Sequence, residues 1–165
     1  NALINSMPYI VQHSDLIGSY TLVATDECLI ALHFGVVHPP KVEEGENVVI
    51  RETEAQLRTY EAGTLSTFNL PLSVEGTPFQ RSVWEALRKI PYGTTKSYAD
   101  IAREIGNPRS VRAVAQACHR NPIGIIIPCH RVIGSNGSLT GFGGGLSLKR
   151  ALLQHESKEK TLFTL

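Results

Sequence analysis

From Thr77 onward the chain is punctuated by helix starts and stops so closely spaced that short helices joined by tight turns are the natural solution. Thr77-Pro78-Phe79-Gln80 offers an N-cap, a first-turn proline and the Gln of a capping box. Phe79, Val83, Trp84, Leu87 and Ile90 then recur on one apolar face until Pro91-Tyr92-Gly93 stops the run. Ser97 and Asp100 can cap a short helix through Ile105, with Tyr98, Ile101, Ala102 and Ile105 on one side and Gly106 closing it. Asn107 and Pro108 supply the cap and first turn of a helix to about His119, whose Val111, Val114, Ala115 and Cys118 should face the core. Two short helices across a glycine turn make a helix-turn-helix candidate. On its second helix Ser110, Ala113 and Ala117 share a stripe of small residues, with Arg109, Arg112 and Gln116 beside them. Such a surface suits close approach to a nucleic-acid groove. It equally suits an ordinary helix corner with a solvated basic face, and the pattern alone does not choose.

The first half reads differently. Tyr20 to Ala24 and Cys28 to Phe34 are β-leaning runs around Thr25-Asp26-Glu27, which predicts a hairpin. His38-Pro39-Pro40 ends that unit, and the acidic stretch through Glu46 reads as a surface loop. Glu52 to Ala62 has helical composition closed by Gly63, and Phe68 to Leu72 reads as a short strand held at an edge by Pro71. The expected architecture is an α/β N-terminal subdomain over residues 1–75, a small antiparallel sheet with a helix. A mainly helical C-terminal domain follows over residues 76–165.

Charge separates the halves in the same place. Residues 1–77 hold 3 Lys/Arg against 10 Asp/Glu, and residues 78–165 hold 13 against 5, although the whole chain nets only +1. A basic half can neutralise a phosphate backbone, whereas the acidic half is not expected to sit on DNA. Cys28, Cys118 and Cys129 form neither a disulfide framework nor a C-x-x-C zinc pair. Cys28, His33 and His38 are donors without a zinc-motif spacing, so no metal ligand is assigned. No apolar run approaches the ~20 residues of a membrane span, and no basic start followed by an apolar stretch marks a secretory leader. The chain opens on Asn1 rather than Met. The expectation is a soluble, intracellular, cytoplasmic protein with reduced thiols.

Ile125-Ile126-Ile127 reads as a buried strand, with Pro128-Cys129-His130-Arg131 at its end. A thiol becomes nucleophilic when a base or a positive charge shifts it toward thiolate. His130 is the obvious base, yet neighbours on an extended strand point to opposite faces. Either the chain bends here or a water bridges the pair.

The order of motifs carries more than any one of them. Gln80-x-x-Val83-Trp84, Pro91-Tyr92-Gly93, Tyr98, Arg112-Ala113-Val114, Asn121-Pro122, Pro128-Cys129-His130-Arg131-Val132, Gly141-Phe142-x-Gly144-Gly145, Lys149 and Leu152-Leu153-x-x-Glu156 follow one another along the chain. Over about residues 66–157 this resembles the O6-alkylguanine-DNA alkyltransferase family, the methylated-DNA–protein-cysteine methyltransferases. The resemblance implies DNA repair by a single, irreversible transfer of a methyl or other alkyl group from O6-alkylguanine to Cys129 after base flipping. O4-alkylthymine is a second candidate substrate.

The same resemblance implies a role for each residue. Cys129 would accept the alkyl group, His130 would act as base through a water, and Glu156 would orient the imidazole. Tyr98 would press on a phosphate and offer its proton to the departing guanine. Arg112 would enter the duplex in place of the extruded base. Ser110, Ala113, Ala117, Arg109 and Gln116 would lie along the minor groove. Pro128, Ser138, Phe142 and Gly143 would form the base pocket, and Asn121 would brace the turn before the cysteine. The helical domain would be winged-helix-like. No cofactor or metal is implied, and the partner is double-stranded DNA carrying alkylated guanine, met by a monomer without an obligate protein partner. Many relatives carry tyrosine where this chain has Phe142, so a hydroxyl contact to the base is lost here. Two rivals stand beside this reading: lesion binding without transfer, which the presence of Cys129 disfavours, and a cysteine hydrolase using Cys129, His130 and Glu156.

Overall fold

Residues 7–157 are described by the computed structural model. β1 (Pro8–Ser14), β2 (Gly18–Ala24) and β3 (Leu29–Phe34) form an antiparallel meander with β2 at its centre, where Tyr20 to Ala24 are all buried. Thr25 closes the β2–β3 turn: its N–H donates to the Cys28 carbonyl at 2.8 Å, and its hydroxyl accepts from the amides of Glu27 and Cys28. The acidic segment is not wholly loop, because Glu43–Glu44 forms a two-residue strand, β4, parallel to β1. The sheet order is β3-β2-β1-β4 and the sheet is mixed rather than antiparallel, since the chain leaves β3 at one edge and returns beside β1 at the other.

Helix α1 (Val48–Glu61) starts four residues before the sequence reading placed it. Asn47 is the reason: its side-chain oxygen accepts from the Ile50 amide at 2.9 Å, and its amide nitrogen donates to the carbonyls of Ala24 and Thr25. Val49, Ile50, Thr53, Leu57 and Tyr60 form its buried face. Phe68 to Leu72 makes no strand but only a single parallel bridge, Leu72 to Leu29. Pro71 accepts from Leu29 at 2.8 Å and has no N–H with which to extend a ladder.

The chain divides into two compact units between Val74 and Glu75. The second opens with α2 (Pro78–Arg88), whose capping box is complete: the Gln80 amide donates to the Thr77 hydroxyl, and the Thr77 amide to the Gln80 side chain. Val83, Trp84, Ala86 and Leu87 are buried on one side. β5 (Lys96–Ser97) leads into α3 (Tyr98–Glu104), capped by Ser97 and Asp100 and followed by Gly106 at φ +78°. α4 (Val111–His119), β6 (Val132–Ile133) and α5 (Leu146–Glu156) complete the unit, with β5 and β6 paired in parallel.

The helical phase of α4 differs from the sequence reading. Asn107-Pro108 forms a turn, closed by the Ser110 amide and hydroxyl donating to the Asn107 carbonyl, so the helix begins after Ser110. Val111 is thereby 38% exposed, while Ala117, assigned to the surface stripe, is buried at 2%. The Ala117 carbonyl accepts the indole N–H of Trp84 at 2.8 Å, which ties α2 to α4. Among the described residues, no helix is long and apolar enough to cross a membrane.

Candidate active site

The segment before the cysteine is a buried turn rather than a strand. The Ile127 amide donates to the Ile123 carbonyl and the Ile126 amide to the Gly124 carbonyl. Ile125 sits at φ +69°, a left-handed conformation costing a β-branched residue on the order of 1–3 kcal/mol, and it is held there by near-complete burial. An unbroken apolar run cannot by itself separate a core strand from a core turn. Asn121 braces the bend from inside: its side-chain N–H donates to the Ile127 carbonyl at 2.7 Å, and its side-chain oxygen accepts from the Ile123 amide at 3.0 Å. Its own amide donates to the Cys118 carbonyl, so one residue joins the end of α4 to the cysteine segment. Cys129, His130 and Arg131 then form one turn of 3-10 helix, so the chain bends where an extended strand would have sent the thiol and imidazole to opposite faces.

Behind the cysteine lies a buried charge cluster. His130 Nε2 is 2.7 Å from Glu156 Oε2, and the Arg131 guanidinium takes the same carboxylate through Nε to Oε1 at 2.7 Å and Nη2 to Oε2 at 3.1 Å. Arg131 Nη1 also donates to the Ile90 carbonyl at 2.8 Å. Glu156 is 4% exposed, so it is no solvated helix end. Burial alone would raise its carboxyl, but the hydrogen bonds and charges of His130 and Arg131 hold it well below the usual carboxylate range. Burial pushes the His130 imidazole down from 6.5, against the pull of Glu156, and leaves the ring neutral at physiological pH. With Nε2 committed to the carboxylate, His130 Nδ1 is buried without a hydrogen-bond partner.

Cys129 is buried, and burial raises its thiol above the ordinary value, while the Asn121 side chain and the Lys149 charge pull the other way. Lys149 is fully buried. Its ammonium donates to the Thr140 carbonyl at 2.8 Å and to the Tyr98 hydroxyl at 3.4 Å, and lies 5.8 Å from the centre of the Tyr98 ring. Burial lowers Lys149, with Cys129 and Cys118 opposing. The sequence reading assigned no role to Lys149 or Arg131. A signal for Lys149 was present: Lys149, Leu152, Leu153 and Glu156 follow the i, i+3, i+4, i+7 pattern of a buried helix face with charges at both ends.

The remaining candidates form a separate, exposed set. Arg109, Arg112, Ala113 and Gln116 are exposed, and Ser110 is half-buried. A cavity of about 430 Å³ runs beside them, lined by Tyr98, Thr140 and Gly141 with Ala115, Gln116, His119 and Arg120. Among the described residues, Pro128, Ser138, Phe142 and Gly143 do not line it. Pro128 and Phe142 are buried, Gly143 is exposed, and the Ser138 hydroxyl bonds the Asn136 side chain at 2.7 Å. The arrangement thus offers a buried thiol, a neutral imidazole beside it backed by a carboxylate, and a tyrosine hydroxyl at a cavity wall next to a basic helix.

Residues 78–158 match the family model for the DNA-binding domain of 6-O-methylguanine DNA methyltransferase. The chain is 57% identical over 106 residues to the methylated-DNA–protein-cysteine methyltransferase of Methanosarcina acetivorans, covering 64% of this chain and 68% of that one. It is 52% identical over 111 residues to the constitutive enzyme of the same name from Bacillus subtilis, 67% of each chain. Its fold is similar to that of the Mycobacterium tuberculosis OGT in complex with DNA, with a TM-score of 0.84 and 43% identity over 93% of this chain and 92% of that one.

Proposed function

The chain belongs to the methylated-DNA–protein-cysteine methyltransferase family, and on that premise we propose that it repairs DNA by moving an alkyl group from O6 of guanine onto Cys129. The observation that carries the assignment of roles is the buried His130–Glu156 contact of 2.7 Å beside Cys129, which leaves His130 Nδ1 as the ring's open acceptor.

Burial disfavours both charged partners, so the resting pair is a thiol and a neutral imidazole. The thiol proton passes to His130 Nδ1, through a water where the atoms do not touch. The Glu156 carboxylate, kept ionised by Arg131, stabilises the imidazolium that forms. The sulfur attacks the alkyl carbon, the carbon–O6 bond breaks, and the bonding electrons leave with guanine. The product is a thioether without a carbonyl for water to attack, so the acceptor is spent after one transfer.

A stacked base conceals its O6 atom, so the nucleotide has to leave the helix, at a cost of a few kcal/mol in pairing and stacking. The exposed face of α4 is the proposed contact with the duplex, with α3 and α4 acting as a helix-turn-helix. Arg112 fills the vacated space, and Arg109, Ser110, Ala113 and Gln116 lie along the backbone and groove. Arginines supply the phosphate-neutralising attraction, which carries little sequence information. Ala117 drops out of that surface, because it is buried under Trp84. The substrate is double-stranded DNA with alkylated guanine, and O4-alkylthymine is a secondary candidate.

The test is stoichiometry. Incubation with excess duplex containing O6-methylguanine should remove one lesion per protein molecule and then stop, and Cys129→Ala should remove none. Continued turnover would point to hydrolysis, and tight binding with no lesion removed would reduce the protein to a lesion binder.

A further inference from the structure

Tyr98 presents its hydroxyl where two donors converge. The Thr140 hydroxyl donates to Tyr98 Oη at 3.1 Å, and the Lys149 ammonium donates to the same oxygen at 3.4 Å. Lys149 is held in position by its shorter bond to the Thr140 backbone carbonyl, 2.8 Å, so Thr140 contacts both the phenol and the ammonium beside it. An ammonium can only donate, and a phenol oxygen has two acceptor sites. With both sites taken, the phenol's own hydrogen has to point away from Thr140 and Lys149. Tyr98 and Thr140 share the wall of the 430 Å³ cavity.

We propose that Thr140 is a positioning residue for the transfer: it holds Tyr98, the proton donor that the family resemblance implies, with its hydrogen turned away from the loop and free for the departing guanine. The inference rests on the alkyl-transfer reading above and adds a specific role for Thr140. Sulfur forms its bond to the alkyl carbon while the carbon–O6 bond breaks, and the electron pair goes into the guanine ring. The Tyr98 O–H proton moves to the guanine, and the phenolate left behind faces the Lys149 ammonium. Solvent water then returns the proton. Lys149 serves the phenolate electrostatically, and Thr140 prevents the phenol from rotating its hydrogen back toward the loop. Burial raises the Tyr98 hydroxyl, and the Thr140 hydrogen bond acts in the opposite direction, as expected for a contact that favours the phenolate.

Thr140→Val keeps the shape and the backbone carbonyl but removes the hydroxyl, whereas Thr140→Ser keeps the donor. Single-turnover transfer from O6-methylguanine duplex is measured for both as a function of protein concentration and pH. Thr140→Val is expected to lower the maximal rate by about tenfold with the half-saturating concentration within about twofold, a part of the usual contribution of a positioned acid. It should also move the alkaline fall of the rate profile. Thr140→Ser should restore both. Direct methylation by methyl iodide, whose iodide leaves without a proton, should not slow by a comparable factor. A Thr140→Val protein that transfers at the wild-type rate overturns the inference. So does one slowed equally with methyl iodide, or a Thr140→Ser protein as slow as Thr140→Val. If the wild-type protein itself removes no lesion, the underlying alkyl-transfer reading has failed instead.

Discussion

Replacing Glu156 by Gln exchanges one carboxylate oxygen for an NH2 group and should damage both the fold and the reaction. The carboxylate accepts from His130 and, through both oxygens, from Arg131, and all three side chains are nine-tenths or more buried. A glutamine oxygen can keep the Arg131 Nε bond, but its amide nitrogen would then face Arg131 Nη2 and His130 Nε2, donor against donor. Breaking one side of a buried ion pair costs about 3–5 kcal/mol, because the remaining charge is uncompensated. Gln retains one bond, so the lower end, about 3 kcal/mol, is expected. For a chain of this size that corresponds to a fall in Tm of roughly 6–12 °C. The imidazole can escape the clash only by turning Nε2 into an acceptor, which moves its proton to Nδ1 and removes the open acceptor proposed as the base. Transfer below the variant's melting temperature should therefore slow by at least about a hundredfold. Thermal denaturation and single-turnover lesion removal measure the two effects. A variant melting within about 1 °C of wild type and transferring at the same rate would refute the reasoning.

Other expected outcomes come from separate parts of the molecule. Trp84→Phe leaves the Ala117 carbonyl with only the Arg120 amide at 3.2 Å and should lower stability by about 1 kcal/mol in urea denaturation. Gly76→Ala sets a methyl 2.7 Å from the Trp84 ring and should cost about 1–3 kcal/mol, read in the same way; no loss would mean that the indole can shift freely. Arg112→Ala should slow repair of duplex DNA while leaving the melting temperature and the reaction with free O6-methylguanine base unchanged, because Arg112 is exposed and outside the charge cluster. Acid should destabilise the fold in two stages. The native state holds the His130 pKa below 6.5, so stability declines as pH drops below that value. Glu156 is held below 4.5, so its contribution is complete above that value and is lost further down. Urea curves at about pH 7 and about pH 5 should show the first stage, and His130→Gln should shrink it.

Local signals in the sequence were dependable where the physics is local. Thr77 with Gln80 and Ser97 with Asp100 announced two capping boxes, because each box is closed by residues three apart. The hairpin around Thr25 was legible for the same reason. The phase of α4 was not, since Asn107-Pro108 is as good a turn as a helix start and only the Trp84–Ala117 bond reveals which face is covered. β1 escaped notice because it opens with Pro8 and is half-buried along most of its length, without a clear alternation. β4 is two acidic residues whose strand identity comes wholly from β1. In the candidate site, Cys129, His130 and Glu156 came from the ordered motifs, but the sharing of Glu156 with Arg131 depends on the α5 end folding back over the cysteine turn. Nothing in the adjacent sequence carries that contact.

Peptide mass mapping after reaction with duplex DNA containing O6-methylguanine bears most directly on the whole account. One hydrogen replaced by one methyl group on the peptide containing residue 129, with Cys28 and Cys118 unmodified, is the predicted result. An unmodified Cys129 in protein that has removed the lesion would contradict it.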